Sequence, residues 1–134
     1  MNSLAGIITK IRSDEHFSIV EIDANGNTFK SVIIETPETA PFLKTGSSIK
    51  VMFKETEVSI GKDFSGMISM QNRMPCLIKN IVKGKLLSKL ILDFNNKKII
   101  SIITTGSVDR LDLKENDEVL ALVKTNEITL APYE

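Results

Sequence analysis

The chain has 134 residues, with 17 basic and 17 acidic side chains, one histidine, one cysteine, no tryptophan and 5% aromatics. Zero net charge and so few aromatics argue against a nucleic-acid surface, which needs a basic groove with stacking platforms, and a single thiol excludes an internal disulfide. No apolar run approaches the roughly 18 residues of a membrane span and no signal peptide opens the chain, so neither membrane insertion nor export is expected and a reducing cytoplasm is the expected location.

Leu4 to Ser13 alternates loosely and reads as a first strand, bent at Gly6; Phe17 to Asp23 is a second, with Val20 and Ile22 on one face. Asn25-Gly26 is a two-residue hairpin signal because both residues tolerate positive φ, and Phe29 to Glu35 returns as the third strand. Thr36-Pro37-Glu38 reads as a helix start, with a capping hydroxyl, proline at the first helical position and an acid at the positive end of the dipole. Pro41 limits that helix to about one turn. Ile49, Val51 and Phe53 alternate as a fourth strand, and Glu57 to Ile60 is a short fifth. Asp63 to Gly66 reads as a short linker.

The same order then recurs. Phe53-Lys54-Glu55-Thr56-Glu57-Val58-Ser59-Ile60 matches Val123-Lys124-Thr125-Asn126-Glu127-Ile128-Thr129-Leu130, an offset of 70. At that offset Asn2 falls on Asn72, Ser18 on Ser88, Asp23 on Asp93, Asn25 on Asn95 and Ser31 on Ser101. Matches at one register mean a duplicated unit. The second copy has its hairpin at Asn95-Asn96 and a short helix over Ser107 to Leu113, capped by a hydroxyl before it. The expected fold is all-β: two tandem five-stranded Greek-key barrels of the oligonucleotide/oligosaccharide-binding type, over residues 1–64 and 67–134, each with a short helix between strands 3 and 4. A unit of about 65 residues buries only about 60% of its unfolded surface and is stabilised by packing on a neighbour. Lys50, Met52 and Glu21 become Leu120, Leu122 and Ile91, so the outer face of the second unit is apolar and is expected to be covered, most simply by another subunit.

Three segments of the second copy resemble a known module. Ser69-Met70-Gln71-Asn72-Arg73 is similar to the Ser-x-Arg-Asn opening of a Mop module. Ile103-Thr104-Thr105-Gly106-Ser107 resembles its Ile-Thr-x-x-Ser segment, and Leu113 to Glu127 resembles its Lys-Ala-Ser-Glu ending. In order, spacing and duplication the chain resembles the di-domain molbindins, also described as tandem TOBE domains. The resemblance implies a cytoplasmic, non-enzymatic protein that binds molybdate or tungstate at interfaces between modules, for molybdenum storage or homeostasis. It also implies a homo-oligomer, a trimer of two-module chains, with no organic cofactor and no directly coordinating metal ligand. Carried over, the oxyanion-binding positions are Ser69, Gln71, Asn72, Thr104, Ser107, Lys124, Thr125 and Asn126, with Lys54 and Thr56 as a weaker first-repeat counterpart.

The donor types suit the ligand. Molybdate is a tetrahedral dianion that only accepts hydrogen bonds, so its site needs N–H groups, hydroxyls or amides and a cation. The chain departs from the pattern at Gln71, where an arginine is usual, and at Asn126, where a serine is usual. In the first copy Ile34 and Pro37 stand at the Thr104 and Ser107 positions, and Glu55 adjoins Lys54. A carboxylate beside a dianion is unfavourable by about 1 kcal/mol at 4 Å even in water. A ligand-free interaction module of a transport or regulatory system is therefore the alternative reading, with nucleic-acid binding a third. His16 reads as an exposed loop residue, Cys76 as a buried inert thiol, and the recurring Glu57 and Glu127 as structural hydrogen-bond partners.

Overall fold

The computed structural model describes residues 1–133. In chain order the first repeat gives β1 (Asn2–Ser13), β2 (Ser18–Ala24), β3 (Asn27–Ile33), β4 (Ser48–Phe53), a 3-10 turn at Glu55–Glu57 and β5 (Ser59–Gly61). The second gives β6 (Asn72–Lys83), β7 (Leu87–Phe94), β8 (Lys97–Thr104), α1 (Thr105–Arg110), β9 (Glu118–Val123), a 3-10 turn at Thr125–Glu127 and β10 (Thr129–Pro132). The strands form two five-stranded antiparallel sheets, in the orders β10-β4-β1-β2-β3 and β5-β9-β6-β7-β8.

Each closing strand lies in the other repeat's sheet. Leu130 pairs with Val51 of β4, and Ile60 pairs with Ala121 of β9. The opening strands stay at home, β1 between β2 and β4 and β6 between β7 and β9. The sheets thus do not divide where the repeats divide. A single core runs through both, built from alternating residues such as Ile8, Val20, Ile22 and Phe29 in the first repeat and Ile78, Leu90, Leu92 and Phe94 in the second. Phe29 and Phe94 meet edge to face at 6.3 Å across the boundary. Each sheet also draws its two edges together through a buried serine. The Ser31 hydroxyl donates to the carbonyl of Ile128 at 3.0 Å, and Ser101 donates to that of Val58 at 2.7 Å.

The hairpin signals are realised as expected. Asn25 and Gly26 sit at φ 52° and 81°, Asn95 and Asn96 at 47° and 70°. The helix expected between strands 3 and 4 is present only in the second repeat, and there it runs over Thr105–Arg110 rather than Ser107 to Leu113, because the capping hydroxyl is that of Thr104. In the first, residues 36–43 make isolated turns, with Thr39 and Ala40 both donating to the Thr36 carbonyl. Pro41 explains the difference: it lacks the N–H a continuing helix requires, where the second repeat has Leu111.

Three other expectations change. The irregularity in β1 falls between Ile8 and Lys10, not at Gly6, and recurs between Ile78 and Asn80. Gly6 is instead a point of close approach, where a Cβ would lie 2.6 Å from Ile22 Cγ2. The linker is longer than Asp63 to Gly66, running without regular structure over residues 62–71 and giving β5 the reach to cross. It also folds back on the apolar outer face. Arg73 donates to the carbonyls of Met70 and Ile68 and lies 5.8 Å from the Phe64 ring, while Phe64 and Leu122 both border Gly61. Leu122 is therefore buried within one chain, leaving Leu120 and Ile91 half-exposed.

Candidate functional site

The two opening asparagines act as reciprocal clasps. Asn72 is fully buried, and its amide both accepts from the Lys30 N–H at 2.7 Å and donates to the Lys30 carbonyl at 2.9 Å. Asn2 does the same to Ile100, the equivalent residue of β8, at 2.8 Å in each direction. A primary amide can pair with both groups of one residue, which an edge strand leaves free. Asn72 thus stands at the repeat boundary with its amide already engaged by backbone. Ser69 and Gln71 precede it on the linker and are exposed, with no side-chain hydrogen bond among the described residues.

The closing segments form 3-10 turns for the same reason in both repeats. Glu127 N–H donates to the Lys124 carbonyl, and the Glu127 carboxylate approaches the Lys124 N–H at 3.4 Å. In the first copy Glu57 makes the corresponding contact with Lys54 at 3.0 Å, so the recurring glutamate is structural. The turn exposes the lysine. Lys124 lies at the repeat boundary, and its ammonium makes no hydrogen bond or ion pair among the described residues. Because β10 joins the first sheet, the Thr125–Glu127 turn packs against β3 of the first repeat. Asn126 lines a groove of about 280 Å³ there, with Ile33, Ile34, Glu35 and Phe42.

Thr104 and Ser107 lie on the other side. Thr104 is the N-cap of α1: its hydroxyl accepts from the Ser107 N–H at 3.1 Å and donates to the Ser107 hydroxyl at 2.9 Å. They stand at the end of β8, the strand that packs on the Lys54 turn. Strand exchange has therefore separated the expected second-repeat set. Within one chain, the Thr125–Glu127 turn lies against β3, with Asn126 beside Ile34 and Glu35, while Thr104 ends β8, the strand that packs on the Glu55–Glu57 turn. Each intact half-motif is matched with a degraded one.

The charge at the Lys54 side was only partly legible from sequence. The N-terminal ammonium of Met1 lies 2.6 Å from Glu55. That hydrogen bond, the glutamate's own N–H and the field of Lys89 hold the carboxyl below its ordinary range. Lys89 was missed because its first-repeat equivalent is Ile19; the signal was a change of type at a repeated position. Cys76 is buried, and burial pushes its thiol up to about 12. His16 is an exposed turn residue whose N–H donates to Asp14. Among the described residues no group of three or more histidine, cysteine or carboxylate side chains is placed to hold a metal ion, and no helix is long and apolar enough to cross a membrane.

Residues 68–130 match the family model of the TOBE domain. Over 122 residues, 90% of its length, the chain is 30% identical to the molybdenum import ATP-binding protein ModC of Brucella abortus (strain 2308). Over 134 residues it is 29% identical to the molybdenum-pterin-binding protein MopA of Rhodobacter capsulatus. The chain spans 32% of the length of the first relative and 50% of the second. Its fold is that of the cytoplasmic molybdate-binding protein ModG, whose structure was solved with molybdate bound. The two superpose with a TM-score of 0.92 over 98% of this chain and 96% of that one, at 22% identity.

Proposed function

We propose that this chain binds molybdate or tungstate, without catalysing a reaction on it, at boundaries between its modules, and so stores or buffers molybdenum in the cytoplasm. The TOBE match over 68–130 and the two relatives named for molybdenum support the class of ligand. The observation that carries the site is the exposed Lys124-Thr125-Asn126 turn lying against the other repeat, with its ammonium uncommitted among the described residues. Such a turn offers a cation, a hydroxyl and an amide to a ligand that only accepts hydrogen bonds. Thr104 and Ser107 supply the hydroxyls that Ile34 and Pro37, at the same positions of the first repeat, cannot, so the donor set is completed between copies of the chain, in a homo-oligomer of three. Each sheet, with its exchanged strand, serves as one small barrel.

The test is thermal unfolding with molybdate, tungstate, sulfate or phosphate. A ligand at 100 times its dissociation constant stabilises by about 2.7 kcal/mol. A shift with the first two, abolished by Lys124→Ala, is the expected result. The second reading, a ligand-free interaction module, is favoured by the placing of Glu35 and Ile34 in the Asn126 groove; an intact protein whose melting responds to none of the four anions would establish it.

A further inference from the structure

Beyond the Leu77–Glu118 pair, β6 has no further ladder partner in β9, while its pairing with β7 runs on to Lys83–Ser88. The β6–β7 hairpin therefore ends in a projecting two-stranded tip, and every residue from Val82 to Leu87 is exposed. Val82, Leu86 and Leu87 are 52%, 76% and 56% exposed. Lys79, Lys83, Lys85 and Lys89 surround them, all exposed, and residues 79–89 contain no carboxylate side chain. Lys83 pairs with Asp109 of α1, whereas the ammoniums of Lys79 and Lys85 make no hydrogen bond or ion pair among the described residues. The tip is held in shape: Gly84 N–H donates to the Leu87 carbonyl at 3.0 Å, while Thr105 donates from its N–H to Leu86 and from its hydroxyl to Gly84, both at 2.8 Å. The fold does not require this character. The first repeat's equivalent tip has Thr9, Asp14, Glu15 and His16 where the second has Lys79, Gly84, Lys85 and Leu86.

We propose that the β6–β7 tip docks on the surface of an anionic lipid bilayer. Charge complementarity selects this partner: the ammoniums of Lys79 and Lys85 meet headgroup phosphates, their stems lie along apolar surface, and Val82 and Leu86 enter the boundary between headgroups and acyl chains. Shape points the same way. A projecting tip fits a broad surface, whereas a bound peptide needs a groove and a nucleic acid needs stacking platforms, and residues 79–89 contain no aromatic side chain. Because the bonds from Thr105 and Gly84 already order the tip, docking costs little further conformational freedom. The chain has no net charge, so the attraction is local to this tip and acts within about 10 Å of the surface at 0.1 M salt. Asp14 and Glu15 would be repelled there, so the second repeat faces the lipid and the first does not. The proposal stands apart from the anion-binding reading, whose residues do not include Lys79, Lys85 or Leu86.

The experiment is co-sedimentation of the full chain with vesicles of phosphatidylcholine, alone or mixed with phosphatidylglycerol. Binding is expected to the mixed vesicles only and to weaken with added salt. Lys79→Ala with Lys85→Ala should lower the partition coefficient about fivefold for each lysine, roughly 25-fold for the pair. Leu86→Ser should weaken binding at unchanged charge. Lys10→Ala with Arg12→Ala, the same number of charges removed from the first-repeat hairpin, should leave it within about twofold of wild type, as should Lys124→Ala. Circular dichroism on every variant confirms folding. Equal binding to both kinds of vesicle, or loss of binding as large from the Lys10 and Arg12 pair as from the Lys79 and Lys85 pair, overturns the proposal. So does a protein that stays in the supernatant with anionic vesicles, whether or not it binds soluble glycerol phosphate or single-stranded RNA through Lys79 and Lys85.

Discussion

Replacing Asn72 with alanine removes two hydrogen bonds that cross from the second repeat to the first. Both join the amide to the backbone of Lys30, at 2.7 and 2.9 Å, and Asn72 is wholly buried. Alanine leaves the Lys30 N–H and carbonyl without their partner in a partly buried site. Each unsatisfied group costs about 1–3 kcal/mol, so the expected loss is roughly 2–6 kcal/mol. At about 4 °C per kcal/mol for a chain of this size, the melting temperature should fall by roughly 8–24 °C. Asn2→Ala should cost a similar amount, because Asn2 makes the same pair of bonds to Ile100. The assay is denaturant and thermal unfolding in buffer free of oxyanions. That condition decides between two roles, since a ligand residue loses anion-induced stabilisation only, whereas a clasp loses stability with no anion present. If Asn72→Ala melts like wild type without anion and differs only with molybdate, the reasoning from the clasp is refuted.

Cleavage in the linker, for instance beside the fully exposed Met67, should leave the two fragments associated in native buffer, because β5 is held by β9 and β10 by β4; fragments that separate on a sizing column without denaturant would contradict the exchange. Acidification should destabilise the protein as pH falls below the ordinary carboxylate value of 3.8. The Asp117 carboxyl is held below that value by the Lys114 N–H and then by Lys62, so its contribution is complete above the unfolded pKa and lost as pH falls through the folded one. Asp117→Asn should flatten this acid limb, and an unchanged pH profile of melting would count against it. Cys76 should resist thiol reagents at pH 8 until denaturant is added, since it is buried with its thiol raised to about 12; rapid labelling of folded protein would show otherwise.

Much of the architecture follows from local chemistry that a one-dimensional reading can use. The period-2 placement of Val20 and Ile22 chose their buried face, Asn25-Gly26 chose the turn, and a hydroxyl at Thr104 chose where α1 begins. Pro41 showed how the same physics can be underweighted: its missing N–H prevented the first-repeat helix altogether rather than merely shortening it. That Asn72 and Lys124 open and close the second repeat, as Asn2 and Lys54 do the first, was legible from the duplicated pattern. Their partners were not, because a hydrogen bond to the backbone of Lys30 depends on no side-chain identity that a sequence displays.

Duplication itself set the limit. Two copies with the same alternation present two edges of the same pattern, β4 and β9, and the short strands Ser59–Gly61 and Thr129–Pro132 suit either one. Sequence alone determined that one pattern of strands and turns occurs twice and which faces of those strands are buried. Only the tertiary structure decided that each closing strand crosses to the other sheet, because pairing along an edge is made by backbone groups that every residue carries, and the choice falls to linker reach and the packing of one shared core. That crossing determines which segments meet, placing Asn126 beside Ile34 and β8, which ends at Thr104, against the Glu55–Glu57 turn.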